Sequence, residues 1–369
     1  MGTRRRSRRK NLVEEERSFR EADYEQMAQA ALGSWLEAGP DFIGIDTETS
    51  GVAFYDEAFG ITISWPGADS GGHYFEREVE AAASAVRQIL DGSRTWVFHN
   101  CKFDLQKLVL GGLTTRAECG TKTIHDTEAI AHLLDENKGK RLKDLAVEHL
   151  AWDDTVEVPL VSDPTRTRLV SREKYELDQA RRKLKLKISD GFHLLPREVL
   201  IPYAIRDADF TVKLFQKLYP MLEAKDDGLR ELYRREMELS LVLLDIESKG
   251  MGLDVPYTEE TSRDVATQML RQELAILSLT GRETFVDHHE WIKSAFAEQG
   301  VALSDTQKAT LGDVGHPLAE AILEYRRLKK LHSTYLTAML QEQRDGILHT
   351  GFRQHGTRTG RMSSGGVVE

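Results

Sequence analysis

The sequence predicts an α/β chain in which a mixed sheet flanked by helices comes first and a mostly helical region follows. Three observations predict it. Asp41-Phe-Ile-Gly-Ile-Asp46 is a short apolar run of the kind a buried strand needs. Two alternating runs behind it, at 61–65 and 73–75, make a meander with it, the second entered through the Gly71-Gly72 turn. Helical spacing over 79–90 and a return to a buried run at 95–98 then give a strand to helix to strand alternation, so antiparallel and parallel neighbours share one sheet. At 369 residues the chain exceeds one ordinary domain and suggests two, each with its own core.

Taken in order, residues 24–36 read as a short helix that Gly39-Pro40 breaks before the first strand. That strand ends in Asp46 and Glu48, two apart and therefore on one face. Two ionised carboxylates side by side repel, which calls for a cation between them, although Asp-x-Glu alone equally suits a solvated turn. The strand at 95–98 runs into His99-Asn-Cys-Lys-Phe-Asp104, with Leu105, Leu108 and Val109 on a helix that Gly111-Gly112 stops. Asp104 falls on its first turn, where the helix dipole favours an acid, and Asn100 stands as its N-cap. His125-Asp-Thr127 opens a helix through Leu134, and 142–150 makes another. Residues 151–196 are polar, with a helical patch at 172–186. A long helix over 196–222 carries Tyr203 and Asp207, four apart and so on one face.

Hydrophobic content of 40% and charged content of 30% are those of a globular protein. No apolar run approaches the roughly 20 residues that span a bilayer, and no signal-peptide pattern opens the chain. Cys101 and Cys119 alone exclude a disulfide framework and suit a reducing compartment. Six basic residues crowd the first ten, leaving 44 basic against 60 acidic in the rest, a net of −16. Such a body holds a polyanion through a local groove or bridging metal ions, not through its overall field. The tail itself, residues 1–22, is expected to be disordered.

Three acidic constellations in this order resemble the proofreading 3′-5′ exonucleases of the four-carboxylate type, with a ribonuclease H-like fold. Asp46-x-Glu48 is similar to their first motif, Asn100-x-x-x-Asp104 to the second and Tyr203-x-x-x-Asp207 to the third. Tyrosine four before the aspartate, with Pro202 where the other subclass has histidine, points to the tyrosine subclass. Further on, 233–256, 322–335 and Gly351-Phe-Arg-Gln-His-Gly-Thr-Arg-Thr-Gly-Arg-Met-Ser-Ser364 resemble the thumb and palm start of family A DNA polymerases. After Ser364 the chain reads Gly-Gly-Val-Val-Glu369, not the family's continuation, so the polymerase active site is expected to be absent from these residues.

The resemblance implies a basic tail at 1–22, an exonuclease domain at 23–223 and an incomplete thumb and palm-start region at 224–369. It implies Asp46, Glu48, Asp104 and Asp207 as ligands of two Mg2+ or Mn2+ ions, with Tyr203 orienting the attacking water. Asn100 would bond the terminal nucleotide, and Phe103 would pack beneath the site or stack on a base. Lys329, Lys330, Arg353 and Arg361 correspond to family positions near primer-template DNA. DNA with a single-stranded or frayed 3′ end is the expected partner, together with a separate polypeptide carrying palm and fingers, in the cytoplasm of a bacterial or phage-infected cell. The palm strand at 347–352, lacking its neighbours, is expected to leave residues from about 345 onward poorly ordered. An RNA-trimming enzyme of the same fold and a non-catalytic docking module are the alternatives; residues 322–364 speak against the first and the full carboxylate set against the second.

Overall fold

A computed structural model describes residues 21–51, 54–159, 167–186, 191–283, 286–357 and 359–365. The basic tail, apart from its last two residues, lies outside them. The chain divides into two compact units, one of residues 1–248 with 350–369 and the other of 249–349.

The first unit begins with helix α1 (Glu21–Ala38) and the meander β1 (Ile43–Thr49), β2 (Ala58–Ser64) and β3 (His73–Glu76). Helix α2 (Glu80–Gly92), strand β4 (Thr95–Phe98), helices α3 (Cys101–Leu110) and α4 (Arg116–Cys119), strand β5 (Thr123–Asp126) and helix α5 (Thr127–Leu134) follow. The sheet order is β3-β2-β1-β4-β5, antiparallel on the meander side and parallel from β1 through β5. The mixed sheet of the sequence reading is therefore present, with β1 at its centre. Strand β5 was not expected: Thr123-Ile-His-Asp126 is too short to show a period, and Asp126 reads as the cap of the helix behind it, which it also is.

Ile43, Ile45, Ile61, Ile63, Trp96 and Phe98 enter one apolar core with Val86, Ile89, Leu105 and Leu108. Val97 points to the other face, into a second core with Ile130, Leu214, Phe215 and Leu218. Helix α6 (Leu142–Leu150) comes next, then a hairpin of β6 (Thr155–Pro159) and β7 (Thr167–Ser171), helix α7 (Arg172–Lys183) and the long helix α8 (Arg197–Glu223). The helical patch at 172–186 is thus present as α7, and the hairpin before it was not foreseen. Strand β6 has only half-buried and exposed positions and so no buried face to read.

Helix α8 lies directly on β1. A Cβ on Gly44 would stand 2.6 Å from Val212 Cγ2 and 3.1 Å from the Ala208 carbonyl oxygen, so only glycine permits this approach. The amino end of α8 is fixed by Arg197, whose Nε and Nη2 donate to the two Glu76 oxygens at 2.8 Å each, while its guanidinium lies 4.8 Å from the centre of the Phe59 ring. Helix α9 (Asp227–Lys249) completes the first pass of the unit.

The second unit contains β8 (Met251–Gly252), α10 (Val255–Thr280), α11 (His289–Ala297), α12 (Lys308–Asp313), α13 (Pro317–Lys330), a π-type stretch (Leu331–Thr337), α14 (Ala338–Glu342) and β9 (Ile347–Leu348). Ile276, Ile292, Phe296, Leu311, Leu318 and Ile322 form its core. Strands β8 and β9 pair antiparallel. The chain then re-enters the first unit through β10 (Gly351–Arg353), which pairs with β11 (Ser363–Gly365).

This corrects the expectation of an unpaired edge at 347–352. Glu247 Oε1 accepts from Phe352 N at 2.6 Å, the Lys102 ammonium donates to Phe352 O at 2.6 Å and pairs with Glu247, and Gln354 Nε2 donates to Glu236 O and Oε2 at 3.0 and 2.9 Å. Backbone groups that sequence reading left without partners are taken by side chains from α3 and α9. Among the described residues no helix is long and apolar enough to cross a membrane.

Candidate active site

The carboxyl ends of β1 and β4 lie side by side at the point where the sheet changes from antiparallel to parallel pairing, a place where α/β sheets open a crevice. Alternation along β1 puts Gly44, Asp46 and Glu48 on the side that faces α8. Asp46 is half-buried and Glu48 is buried. Tyr203 and Asp207 are one turn apart on α8; Tyr203 feels the Glu48 and Asp46 charges, and the Lys143 ammonium that pairs with Asp207 feels both of them too.

Asp104 arrives from the other direction. It is 3% exposed, and its Oδ1 accepts from Thr47 N at 3.0 Å and from Thr47 Oγ1 at 2.6 Å. The residue between the two acids of the first motif therefore aims the acid of the second, which goes beyond a helix-dipole acid. Asn100 does stand at the N-cap position of α3, but its side chain caps nothing. It takes a left-handed backbone, φ 74°, which asparagine tolerates better than most residues. Asp126 does the capping instead, accepting from Asn100 N at 3.0 Å, Cys101 N at 2.7 Å and Glu128 N at 2.8 Å. Phe103 is half-buried with the Lys107 ammonium 5.3 Å from its ring centre, and Lys107 also donates to the carbonyls of Phe54 and Asp56 at 3.2 and 2.7 Å. Both Cys101 and Cys119 are buried free thiols.

Crowding acids at a buried edge shows in their proton affinity. Burial pushes the Asp46 carboxyl up to about 7, against the pull of the Lys143 ammonium. Burial first and the Asp46 charge second push Glu48 up to about 8. Burial, then Asp46, holds Asp104 well above the usual carboxylate range, with the two Thr47 bonds pulling it back. Burial, then Glu48 and Asp46, raises the Tyr203 hydroxyl well above its ordinary value. Asp46 acts on Glu48, Asp104 and Tyr203 alike, so the electrostatics tie these groups together through it.

Lys143, on α6, was missed. Its ammonium pairs with Asp207 Oδ1 and lies 5.0 Å from the ring centres of both Tyr203 and Phe210. Burial lowers it to about 8, with Asp46, Glu173 and Glu48 acting against that fall. Arg-Leu-Lys-Asp-Leu reads as an ordinary amphipathic helix start, and no spacing in the chain links it to the acids. Among the described residues no three His, Cys, Asp or Glu groups stand close enough to hold a metal ion as the side chains are placed. The donor set nonetheless suits hard divalent ions: four carboxylates, three of them with proton affinity raised first by burial.

The basic residues expected near primer-template DNA are divided between the two units. Lys329 and Lys330 are on α13 of the second unit, Lys329 paired with Asp287, while Arg353 and Arg361 are exposed in the returning segment of the first.

A family model for 3′-5′ exonuclease matches residues 21–223, and one for DNA polymerase family A matches 257–366. The DNA polymerase of Escherichia phage T5 is 28% identical over 363 residues, 88% of this chain and 40% of that protein. DNA polymerase I of Chloroflexus aurantiacus is 30% identical over 72% of this chain and 27% of its own length. The thermostable DNA polymerase I of Thermus aquaticus is 37% identical over 42% of the chain and 21% of its own length. The chain thus spans less than half of these curated relatives. The polymerase domain of Pol1 from M. smegmatis, solved with primer-template DNA and a dNTP, superposes on 90% of the chain and 53% of its own with a TM-score of 0.62 at 20% identity, which is a likeness of fold. Exonuclease domains of this type generally depend on divalent metal. With an α/β exonuclease domain of ribonuclease H-like fold followed by a helical polymerase region, the chain belongs to the 3′-5′ exonuclease family of DNA polymerase I-like enzymes.

Proposed function

We propose that this chain removes nucleotides from the 3′ ends of DNA by metal-dependent hydrolysis, as the proofreading part of a DNA polymerase I-like replication or repair enzyme. The observation that carries the reading is the meeting of Asp46 and Glu48, Asp104, and Tyr203 with Asp207 at one end of β1, from three separate stretches of chain.

Asp46, Glu48, Asp104 and Asp207 would hold two Mg2+ or Mn2+ ions. Bound there, the ions supply Lewis acidity to the attacking water, the phosphoryl oxygens and the departing 3′ oxygen. Thr47 keeps Asp104 aimed at the site. Tyr203 is protonated at neutral pH, and burial first, then the Glu48 and Asp46 charges, raise it further, so its hydroxyl orients the water by hydrogen bonding and does not take the proton. Exposed Asn100 meets the terminal nucleotide and Phe103 lies beside it. A crevice at a strand end admits a single-stranded or frayed terminus. Functionally we divide the chain into a tail at 1–22, the exonuclease region at 23–223 and the polymerase-like region at 224–369. There Lys329, Lys330, Arg353 and Arg361 would meet primer-template DNA. The setting is the cytoplasm of a bacterial or phage-infected cell.

Release of mononucleotides from a 3′-labelled single strand tests the reading. Chelator, Asp46→Ala or Asp104→Ala should abolish most of it, and Tyr203→Phe should slow it about 10²-fold, the low end for positioning effects. Full activity in chelator or in either alanine variant overturns the assignment, as does cleavage of RNA alone.

A further inference from the structure

Positive charge also reaches the crevice: Lys174 on α7 lies 6.0 Å from the Tyr203 ring centre and acts on Glu48, and Lys143 on α6 comes closer still. Helix α6 contributes no carboxylate to the site, yet Lys143 reaches from its first turn to Asp207. The ammonium is flanked by the faces of Tyr203 and Phe210, 5.0 Å from each ring centre, an arrangement that holds a cation in place after most of its water is gone. The Lys143 and Asp207 side chains are 24% and 11% exposed, so the pair is shielded from solvent. A lysine serving only packing would extend its head to water, as lysines do. Here the head turns inward to acids that otherwise repel.

We propose that Lys143 is the site's resident cation: in the metal-free chain its ammonium neutralises Asp207 and its neighbours, and divalent ions enter only by displacing it. The proposal rests on the reading of the four carboxylates as metal ligands. Lys143 is thereby a positioning residue that sets how tightly metal is held and keeps the crevice formed without it. An ammonium and a divalent ion drawn to the same Asp207 carboxylate repel each other and compete for its charge, so each weakens the hold of the other. Removing the ammonium also leaves the site more negative, which draws a divalent ion harder.

Mn2+ binding followed by the paramagnetic resonance of the free ion tests this without any turnover. Lys143→Met should bind Mn2+ about tenfold tighter than wild type, a coupling of ordinary size between two sites, and should melt lower in chelator with a larger rise on adding Mg2+. Lys143→Arg keeps the charge and should bind close to wild type. If the methionine variant does not fold, Lys143→Gln carries the same expectation. Unchanged or weaker Mn2+ binding by the folded, uncharged variant overturns the proposal, because a purely structural lysine does not tighten metal when lost. Wild type that binds no Mn2+ overturns the metal reading beneath it, a separate outcome.

Discussion

Lys143 and Lys329 each pair with an aspartate, and the two pairs could hardly differ more in what surrounds them. At the edge of the sheet the side chains of Lys143 and Asp207 are 24% and 11% exposed. On α13, Lys329 and Asp287 are 40% and 64% exposed, and nearby Arg327 pairs with Glu324 in the same open manner. Water and salt screen the second kind of pair, and its net worth is small. Buried charges cannot fall back on water, so each depends on its partner. The difference teaches where charge substitutions should matter in this chain, and it is not where the basic residues are densest.

Arg197 with Glu76, whose side chains are each 9% exposed, is a buried pair that includes none of the four carboxylates. Arg197→Met should cost about 3–5 kcal/mol of unfolding free energy, since it strands Glu76 in the core. Denaturant melts check it, and a loss under 1 kcal/mol would erase the contrast with the surface.

A smaller effect sharpens it by pH. Asp46 and Glu48 ionise from ordinary values of 3.8 and 4.5 in the unfolded chain but near 7 and 8 in the folded one. At these two groups the folded state holds more protons between those limits, so their contribution in chelator is fully present below about pH 4 and is lost as pH rises to 8. Burial holds His99, His125 and His355 at about 4 against an ordinary 6.5, which opposes that loss below 6.5, so stability should fall from about pH 6.5 to 8. Lys143 works the opposite way only above about 8, where its folded form has already lost its proton and the unfolded one has not. Mg2+, which takes the ionised carboxylates, should flatten the fall. Melting temperatures across pH with and without Mg2+ give the comparison, and a metal-free curve that rises from 6.5 to 8 would refute it.

Smallest of all, Lys329→Ala should change stability by less than about 1 kcal/mol, and less still in high salt. A larger, salt-insensitive loss would place that lysine in the buried class.

The carboxylates were legible because strand and helix periodicities place them by arithmetic: two apart on β1, four apart on α8. Gly44 was on the page too, though only the closeness of Val212 shows why it is glycine. Thr47 and Asp126 were hidden for a different reason. Both act through hydrogen bonds to stretches 57 and 26 residues away, and sequence spacing carries no signal across that distance. Lys143 was hidden most deeply, since an inward lysine and an outward one occupy the same helical position and only the packed fold decides. Strand β5 and the β6–β7 hairpin escaped because short or half-exposed strands lack a period to read.

The return of residues 350–365 to the first unit has a consequence for synthesis. A ribosome that has delivered Lys102, Glu236 and Glu247 must still add residues 249–349 before Phe352 and Gln354 exist to meet them. At about 5–20 residues per second that is a wait of roughly 5–20 s. Throughout it the emerging exonuclease lacks its last pair of strands, a window in which a nascent chain is open to chaperones and proteases alike.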